Sequence, residues 1–340
     1  MNTHVLQYTK HGTPSSVLSV VKQSLLSSPL TPHQVLLKFL GAPVNPSDYN
    51  QIEGKYPIAP PLPAVGGNEG AATVLEVGQD VKSVRPGDTV IPGVAGFGTW
   101  RTFHVCEEDG VKRLPAGLAP AAAAMFGVNP CTAYRMLEDY QKPKQGGWVI
   151  QNGSNSGVGR AVIQMCAAQG IRTVNIIRDR GDATQLKSEL QSIGGDAVFT
   201  SSERSEMEHF CRENTPRLAL NMVGGRDTIQ LLKCLGDGSK LVTYGAMSNS
   251  PMSVPFGLMV FKDITLHNYW MTRWSQCHGR SPLEDEMFGR IAEWFQSGEL
   301  TPTPHQTNSF YGFREALDNA FRVKQLFVVD KTLSDPLHQG

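Results

Sequence analysis

The sequence has no excess of either charge. Lys and Arg total 31 and Asp and Glu total 31, so nothing in the charge balance favours a nucleic-acid backbone as partner. Charged residues are sparse at 18% against 40% hydrophobic, which excludes a disordered chain and predicts a folded globule. The six cysteines fall in no Cys-x-x-Cys pair; that excludes a disulfide framework or clustered structural zinc and fits a reducing compartment. Long apolar runs are missing too. The longest, around residues 119–128, is too short and broken to span a bilayer, so no membrane insertion is expected. No basic-then-apolar leader precedes the strand-like run at 4–8, so no presequence is visible.

Several catalytic signatures are also absent. There is no Walker loop, and Gly153-Ser-Asn-Ser-Gly157 places Asn where a hydrolase elbow needs its nucleophile. The nine histidines form no His-Glu-x-x-His or other ligand cluster, so no metal is expected. Tyr140 and Lys144 have the Tyr-x-x-x-Lys spacing, but Pro143 lies between them. A proline there breaks the helix that would align the pair, so the segment reads as a helix end.

What is present divides in two, as 340 residues predict at roughly 100–200 per domain. Up to about 126 the chain shows short strands at 17–22, 34–40, 71–77, 88–91 and 100–106, separated by Pro and Gly. Arg85-Pro-Gly-Asp88 has the residues of a type II turn. From Asn129 the texture changes. Ala133, Met136, Leu137 and Tyr140 mark an amphipathic helix, followed by a strand at 148–151. Helix and strand then alternate: a helix through Val158, Ala161, Val162 and Met165, a strand at 173–177, a helix through Leu186, Leu190 and Ile193, and strands at 218–223 and 240–244. Such alternation implies parallel βαβ units in a doubly wound sheet, hence an α/β fold with a nucleotide-binding middle. A helix at 286–295 and an apolar run at 326–329 suggest a tail that returns to the first domain. The expected division is 1–126, 127–268 and 269–340.

The strand at 148–151 runs into Asn152-Gly-Ser-Asn-Ser-Gly-Val-Gly159 and then a helix. Amides at a helix start hold a pyrophosphate, and Gly157 and Gly159 permit close approach. The spacing is not a full Gly-x-Gly-x-x-Gly, and an ordinary β-to-α turn is the alternative. At the end of the next strand stands Ile177-Arg-Asp-Arg180. Two guanidinium groups suit a ribose 2′-phosphate and favour NADPH over NADH; Asp179 argues the other way, and a solvated charged loop is the alternative.

The order of domains resembles the medium-chain dehydrogenase/reductase superfamily, with a GroES-like catalytic domain and a Rossmann domain. The zinc alcohol dehydrogenases of that superfamily carry Cys and Gly-His-Glu ligand motifs, whereas here the equivalent segments read Asn45-Pro-Ser-Asp48 and Gly67-Asn-Glu-Gly70. Asn and Ser do not replace thiolate and imidazole. Within the zinc-free branch the chain is most similar to the mitochondrial trans-2-enoyl thioester reductases. Gly54-Lys-Tyr-Pro57, Gly98-Thr-Trp-Arg-Thr102, Gly127-Val-Asn-Pro-Cys-Thr-Ala-Tyr134 and Thr243-Tyr-Gly-Ala-Met247 carry that likeness together with the segments above. Ala246 and Tyr269 depart from the family's usual Gly and Phe.

The resemblance implies NADPH-dependent reduction of enoyl-CoA or enoyl-acyl-carrier-protein in fatty acid synthesis, a homodimer, and a mitochondrial location, with cytoplasm the alternative. It makes Tyr56 the proton donor, where residue type alone would suggest a packing aromatic. It places the nicotinamide ribose near Asn129 and the pyrophosphate on Asn155, Ser156, Gly157 and Val158. The 2′-phosphate falls to Arg178 and Arg180 around Asp179. Tyr244, Gly245, Ala246 and Met247, with Tyr269, Trp270 and Met271, would line the cleft, and Lys324 would meet a phosphate. For Trp270 core packing is the alternative, for Lys324 a solvated charge. A quinone or enone reductase of the same branch, and an NADPH-binding protein without catalysis, are the competing functions.

Overall fold

The computed structural model describes residues 1–25 and 29–329. The chain forms two units, one of residues 1–128 with 302–329 and one of residues 129–301. The second boundary therefore falls at 301/302 and not at the expected 269.

The first unit opens with β1 (Asn2–Tyr8), α1 (Pro14–Val17), β2 (Leu18–Ser24), β3 (Gln34–Pro43), α2 (Pro46–Ile52), β4 (Ala64–Val65), β5 (Ala71–Val77), β6 (Thr89–Pro92), β7 (Phe103–Glu107), β8 (Val111–Arg113) and α3 (Pro120–Ala124). Between β5 and β6 the Arg85–Asp88 turn closes with Asp88 N–H donating to Arg85 O at 3.0 Å. Gly87 there has φ +92°, as the third residue of a type II turn requires.

The second unit comprises α4 (Asn129–Asp139), β9 (Trp148–Asn152), α5 (Gly157–Ala168), β10 (Arg172–Ile177), α6 (Ala183–Ser192), β11 (Ala197–Thr200), α7 (Arg204–Glu213), β12 (Leu218–Asn221), α8 (Asp227–Cys234), β13 (Lys240–Thr243), α9 (Phe256–Lys262), β14 (Thr265–Asn268), α10 (Met271–His278) and α11 (Pro282–Ser297). Its six strands run in the order β11-β10-β9-β12-β13-β14, every pairing parallel. The sequential order of the strands reverses between β9 and β12, and in such sheets the ligand crevice lies beyond the carboxyl ends of the strands at that point. α4 ends at Asp139, before Tyr140 and Pro143, so the Tyr-x-x-x-Lys spacing spans a helix end as expected. α11 packs on α4, with the Trp294 and Tyr134 rings 6.0 Å apart; this contact keeps residues 269–301 in the nucleotide unit.

The chain then returns through β15 (His305–Asn308), α12 (Phe313–Asn319) and β16 (Lys324–Val328). β16 pairs antiparallel with β3, Phe327 opposite Ala42. β3 is the spine of this unit: it also pairs with β5 and β7, shifting register after Leu36 and after Phe39. Around it Tyr8, Trp100, Phe310 and Phe327 share one core cluster. Trp100 is 0% exposed and meets Phe327 edge-on, centroids 5.3 Å apart. A Cβ at Gly66 would stand 2.4 Å from the Trp100 ring and one at Gly67 2.5 Å, so this indole explains why glycines precede Asn68 and Glu69.

Candidate functional site

In the first unit, the segment that lacks metal ligands is a helix start. Asn45-Pro-Ser-Asp48 caps α2: Asp48 Oδ2 accepts the Asn45 N–H at 2.7 Å, and Pro46 occupies the first turn, where a missing N–H costs nothing. The Asn45 side chain donates to Glu69 Oε2 at 2.7 Å and accepts from the Lys324 ammonium through its Oδ1. Glu69 Oε1 takes the Val128 N–H at 2.8 Å. Asp48 Oδ1 receives both the backbone and the side-chain N–H of Asn68 at 2.9 Å.

Asn45, Asp48, Gln51 and Glu69 are buried. Burial pushes the Asp48 carboxyl up to about 6, against its hydrogen bonds from Asn45 and Asn68 and the field of Lys324. Burial likewise raises Glu69, opposed by Lys324, and lowers Lys324, opposed by Glu69 and Asp48. No group of three or more His, Cys, Asp or Glu able to hold a metal occurs among the described residues. The amides at 45 and 68 are committed to neighbours and an ammonium already stands on Asn45, so these residues do not fit a zinc ion. The Lys324 ammonium, expected to contact a cofactor phosphate, stands on the Asn45 amide oxygen, and the residue is half-buried.

Because Asp48 binds its proton more tightly in the fold than near its ordinary 3.8, the stability it contributes is present below about pH 4 and lost as pH rises through about 6. Comparing wild type with Asp48→Asn by urea unfolding across that window should show a relative loss in wild type on the order of 3 kcal/mol as pH rises. Lys324, whose charge acts on this carboxyl, is common to both proteins. A difference that does not change with pH would contradict this.

Tyr56 follows Gly54, whose φ is +76°, in the loop between α2 and β4; its side chain is half-buried.

In the second unit, the turn after β9 is built to approach an anion. Ser156 caps α5, accepting the Gly159 N–H on Oγ at 3.1 Å. α5 runs for twelve residues, and its first amides, at Gly157 and Val158, have no carbonyl one turn back within the helix. Ser154 pins the turn to β10, donating from its N–H and its Oγ to Ile176 O at 3.3 and 3.2 Å. A Cβ at Gly159 would lie 2.6 Å from Ser154 Cα. These features fit a dinucleotide pyrophosphate.

Arg178, Asp179 and Arg180 are exposed just beyond β10. Arg180 pairs with Asp182 at 2.6 Å, and the Asp179 N–H donates to Ser201 Oγ at 3.3 Å. At the carboxyl ends of β9 and β12, Asn152 donates to Asn221 Oδ1 at 2.8 Å and accepts the Met222 N–H at 2.7 Å. That amide pair escaped the sequence reading; a polar residue ending each of two neighbouring strands is its signal. Tyr244 is half-buried, Gly245 less than fully covered, and Ala246 and Met247 exposed; burial of the Tyr244 hydroxyl raises its pKa, opposed by Ser156. The Tyr269 hydroxyl lies 3.1 Å from Met271 Sδ. Trp270 is 37% exposed, so it is not core.

Residues 31–116 match the alcohol dehydrogenase GroES-like domain and residues 157–283 the zinc-binding dehydrogenase domain. The mitochondrial enoyl-[acyl-carrier-protein] reductase of Xenopus tropicalis is 42% identical over 320 residues, 93% of this chain and 91% of its own. The chain belongs to the mitochondrial enoyl-[acyl-carrier-protein] reductase family. The human member is 42% identical over 93% of this chain and 85% of its own length. Among solved structures, a complex described as Etr1p with NADP and crotonyl-CoA superposes with TM-score 0.90 at 30% identity, covering 97% of this chain and 100% of that one. The Etr1p/Etr2p heterodimer of Candida tropicalis gives 0.90 at 30%, with the same coverage. This family therefore shares the GroES-like and nucleotide-binding parts with the zinc dehydrogenases while this chain carries amides in place of the ligands.

Proposed function

We propose that this chain reduces trans-2-enoyl thioesters, of CoA or acyl carrier protein, to saturated acyl thioesters with NADPH. The observation that carries the reading is the chain-long likeness to a reductase described with NADP and crotonyl-CoA. The phosphate turn and the arginines beyond β10 support it. When bound, NADPH supplies a hydride to the β-carbon. The chain's own residues do the rest. The start of α5, from Asn155 to Val158, holds the pyrophosphate and Arg178 and Arg180 the 2′-phosphate; Asn129 serves the nicotinamide ribose; residues 244–247 and 269–271 line the cofactor and substrate. Tyr56 gives its phenolic proton to the α-carbon: the O–H bond breaks as the C–H bond forms, and solvent reprotonates the phenolate. Each C=C reduced consumes one NADPH and one proton.

The test follows NADPH oxidation with a short trans-2-enoyl-CoA, beside NADH and a quinone. Preference for NADPH and the thioester supports the reading; turnover of the quinone alone makes the chain a quinone reductase, and cofactor binding without any turnover makes it non-catalytic. Removing one charged fork from the 2′-phosphate should weaken NADPH binding by about 10- to 100-fold, so Arg178→Ala should raise KM for NADPH by that factor and leave KM for NADH unchanged. An equal change for both cofactors would remove Arg178 from this role.

A homodimer through the nucleotide unit completes the reading. β14 stands at one end of the sheet, and the preceding α9 presents Phe256, Val260 and Phe261 at 76, 64 and 82% exposure, a patch that an isologous partner would cover. Phe261→Glu should convert a dimer to a monomer in light scattering; an unchanged mass would place the interface elsewhere. The relatives' names also support a mitochondrial location, which organelle fractionation tests.

A further inference from the structure

The Tyr56 loop runs through Pro57, Pro60, Pro61 and Pro63, and proline supplies no N–H. Such a loop has few backbone donors with which to hold itself. A buried side chain reaches it from outside. Gln51, 1% exposed, donates its Nε2 to Ile58 O at 3.2 Å, closing the segment 51–58 around Tyr56. Its other end is fixed as well: Oε1 accepts from Asn68 Nδ2 at 2.9 Å. That Asn68 amide also donates to Asp48, and its Oδ1 takes the Gly96 N–H at 3.0 Å. Gln51 is therefore oriented from both sides, donor outward to the loop and acceptor inward to the cluster.

We propose that Gln51 is a positioning residue for the proton-donating Tyr56, a strap that sets where the phenol stands. The proposal rests on the reading of Tyr56 as the acid. A misplaced catalytic group costs on the order of 100-fold, whereas the two side-chain bonds of Gln51 run to Ile58 and Asn68, neither of them proposed to hold the cofactor.

Gln51→Leu, which cuts both hydrogen bonds, is compared with wild type in parental and Tyr56→Phe backgrounds. It should lower kcat on a trans-2-enoyl-CoA by about tenfold or more while KM stays within about twofold. Proton delivery then limits the rate, so the D2O effect on kcat should grow and the effect of deuterated NADPH shrink. In the Tyr56→Phe background Gln51→Leu should cost nothing further. Gln51→Glu provides a second variant should the first not fold. Its buried carboxyl, protonated as pH falls, regains an O–H donor for Ile58 O, so activity should recover on the acid side. An equal loss in both backgrounds, or a lower Tm with kcat and isotope effects unchanged, would overturn the strap. A Tyr56→Phe parent with full thioester activity would instead overturn the reading of Tyr56 on which the strap depends.

Discussion

Tyr56→Phe should lower turnover of trans-2-enoyl-CoA by about 10²- to 10⁴-fold, the usual worth of a positioned general acid. The substitution removes one hydroxyl and keeps the ring, so packing of the half-buried side chain survives. Affinity for NADPH should stay at the wild-type value, because the residues proposed to hold the cofactor belong to the other unit. A quinone, which accepts hydride without a proton from a carbon acid catalyst, should be reduced as before if it is a substrate at all. Steady-state rates with both acceptors and a calorimetric NADPH titration check this. Wild-type thioester turnover in the variant would leave the proton to another donor.

Gly159→Ala should abolish tight NADPH binding for a different reason. The added methyl would meet Ser154 Cα and O at 2.6 Å and Gly153 O at 2.7 Å, all backbone. Ser154 cannot retreat easily, since it is fully buried and bonded to both Gln151 and Ile176. α5 must withdraw instead, breaking the Ser156 cap and moving its first amides off the phosphate. A loss of NADPH affinity of about 100-fold and of roughly 1–3 kcal/mol in stability is expected, read by titration and by urea unfolding. Unchanged affinity would mean that the turn does not approach the cofactor.

Local periodicity and turn chemistry made much of this legible from residues alone. The strand at 71–77 coincides with β5, and the β9-turn-α5 passage stands where glycine spacing and the switch from a 2 to a 3.6 period put it. α2 was not read as a helix, although Asn45, a proline next and Asp48 three on are a cap signature; the segment was read for metal and family motifs. β11 stands at the end of the sheet and buries only alternate residues, so it lacks the continuous buried run that marks β12. The apolar faces of α10 and α11 mark helices without saying which unit they cover, and the boundary near 269 was misplaced for that reason. Pairings made by topology leave no local trace: Lys324 meets Asn45 across 279 positions, and the Gln51 strap depends on where Asn68 arrives.

The spine strand β3 waits longest for its partners. Along its Gly41–Pro43 end it pairs with β16, and everything from residue 129 to 301 lies between. During synthesis the nucleotide unit, contiguous in the chain, is complete on emergence from the ribosome, while the first unit still lacks β15 and β16 and part of its aromatic core, Phe310 and Phe327. Such long-range closure is the slow step in folding. The first unit must therefore be kept from aggregating until residues 305–328 are made.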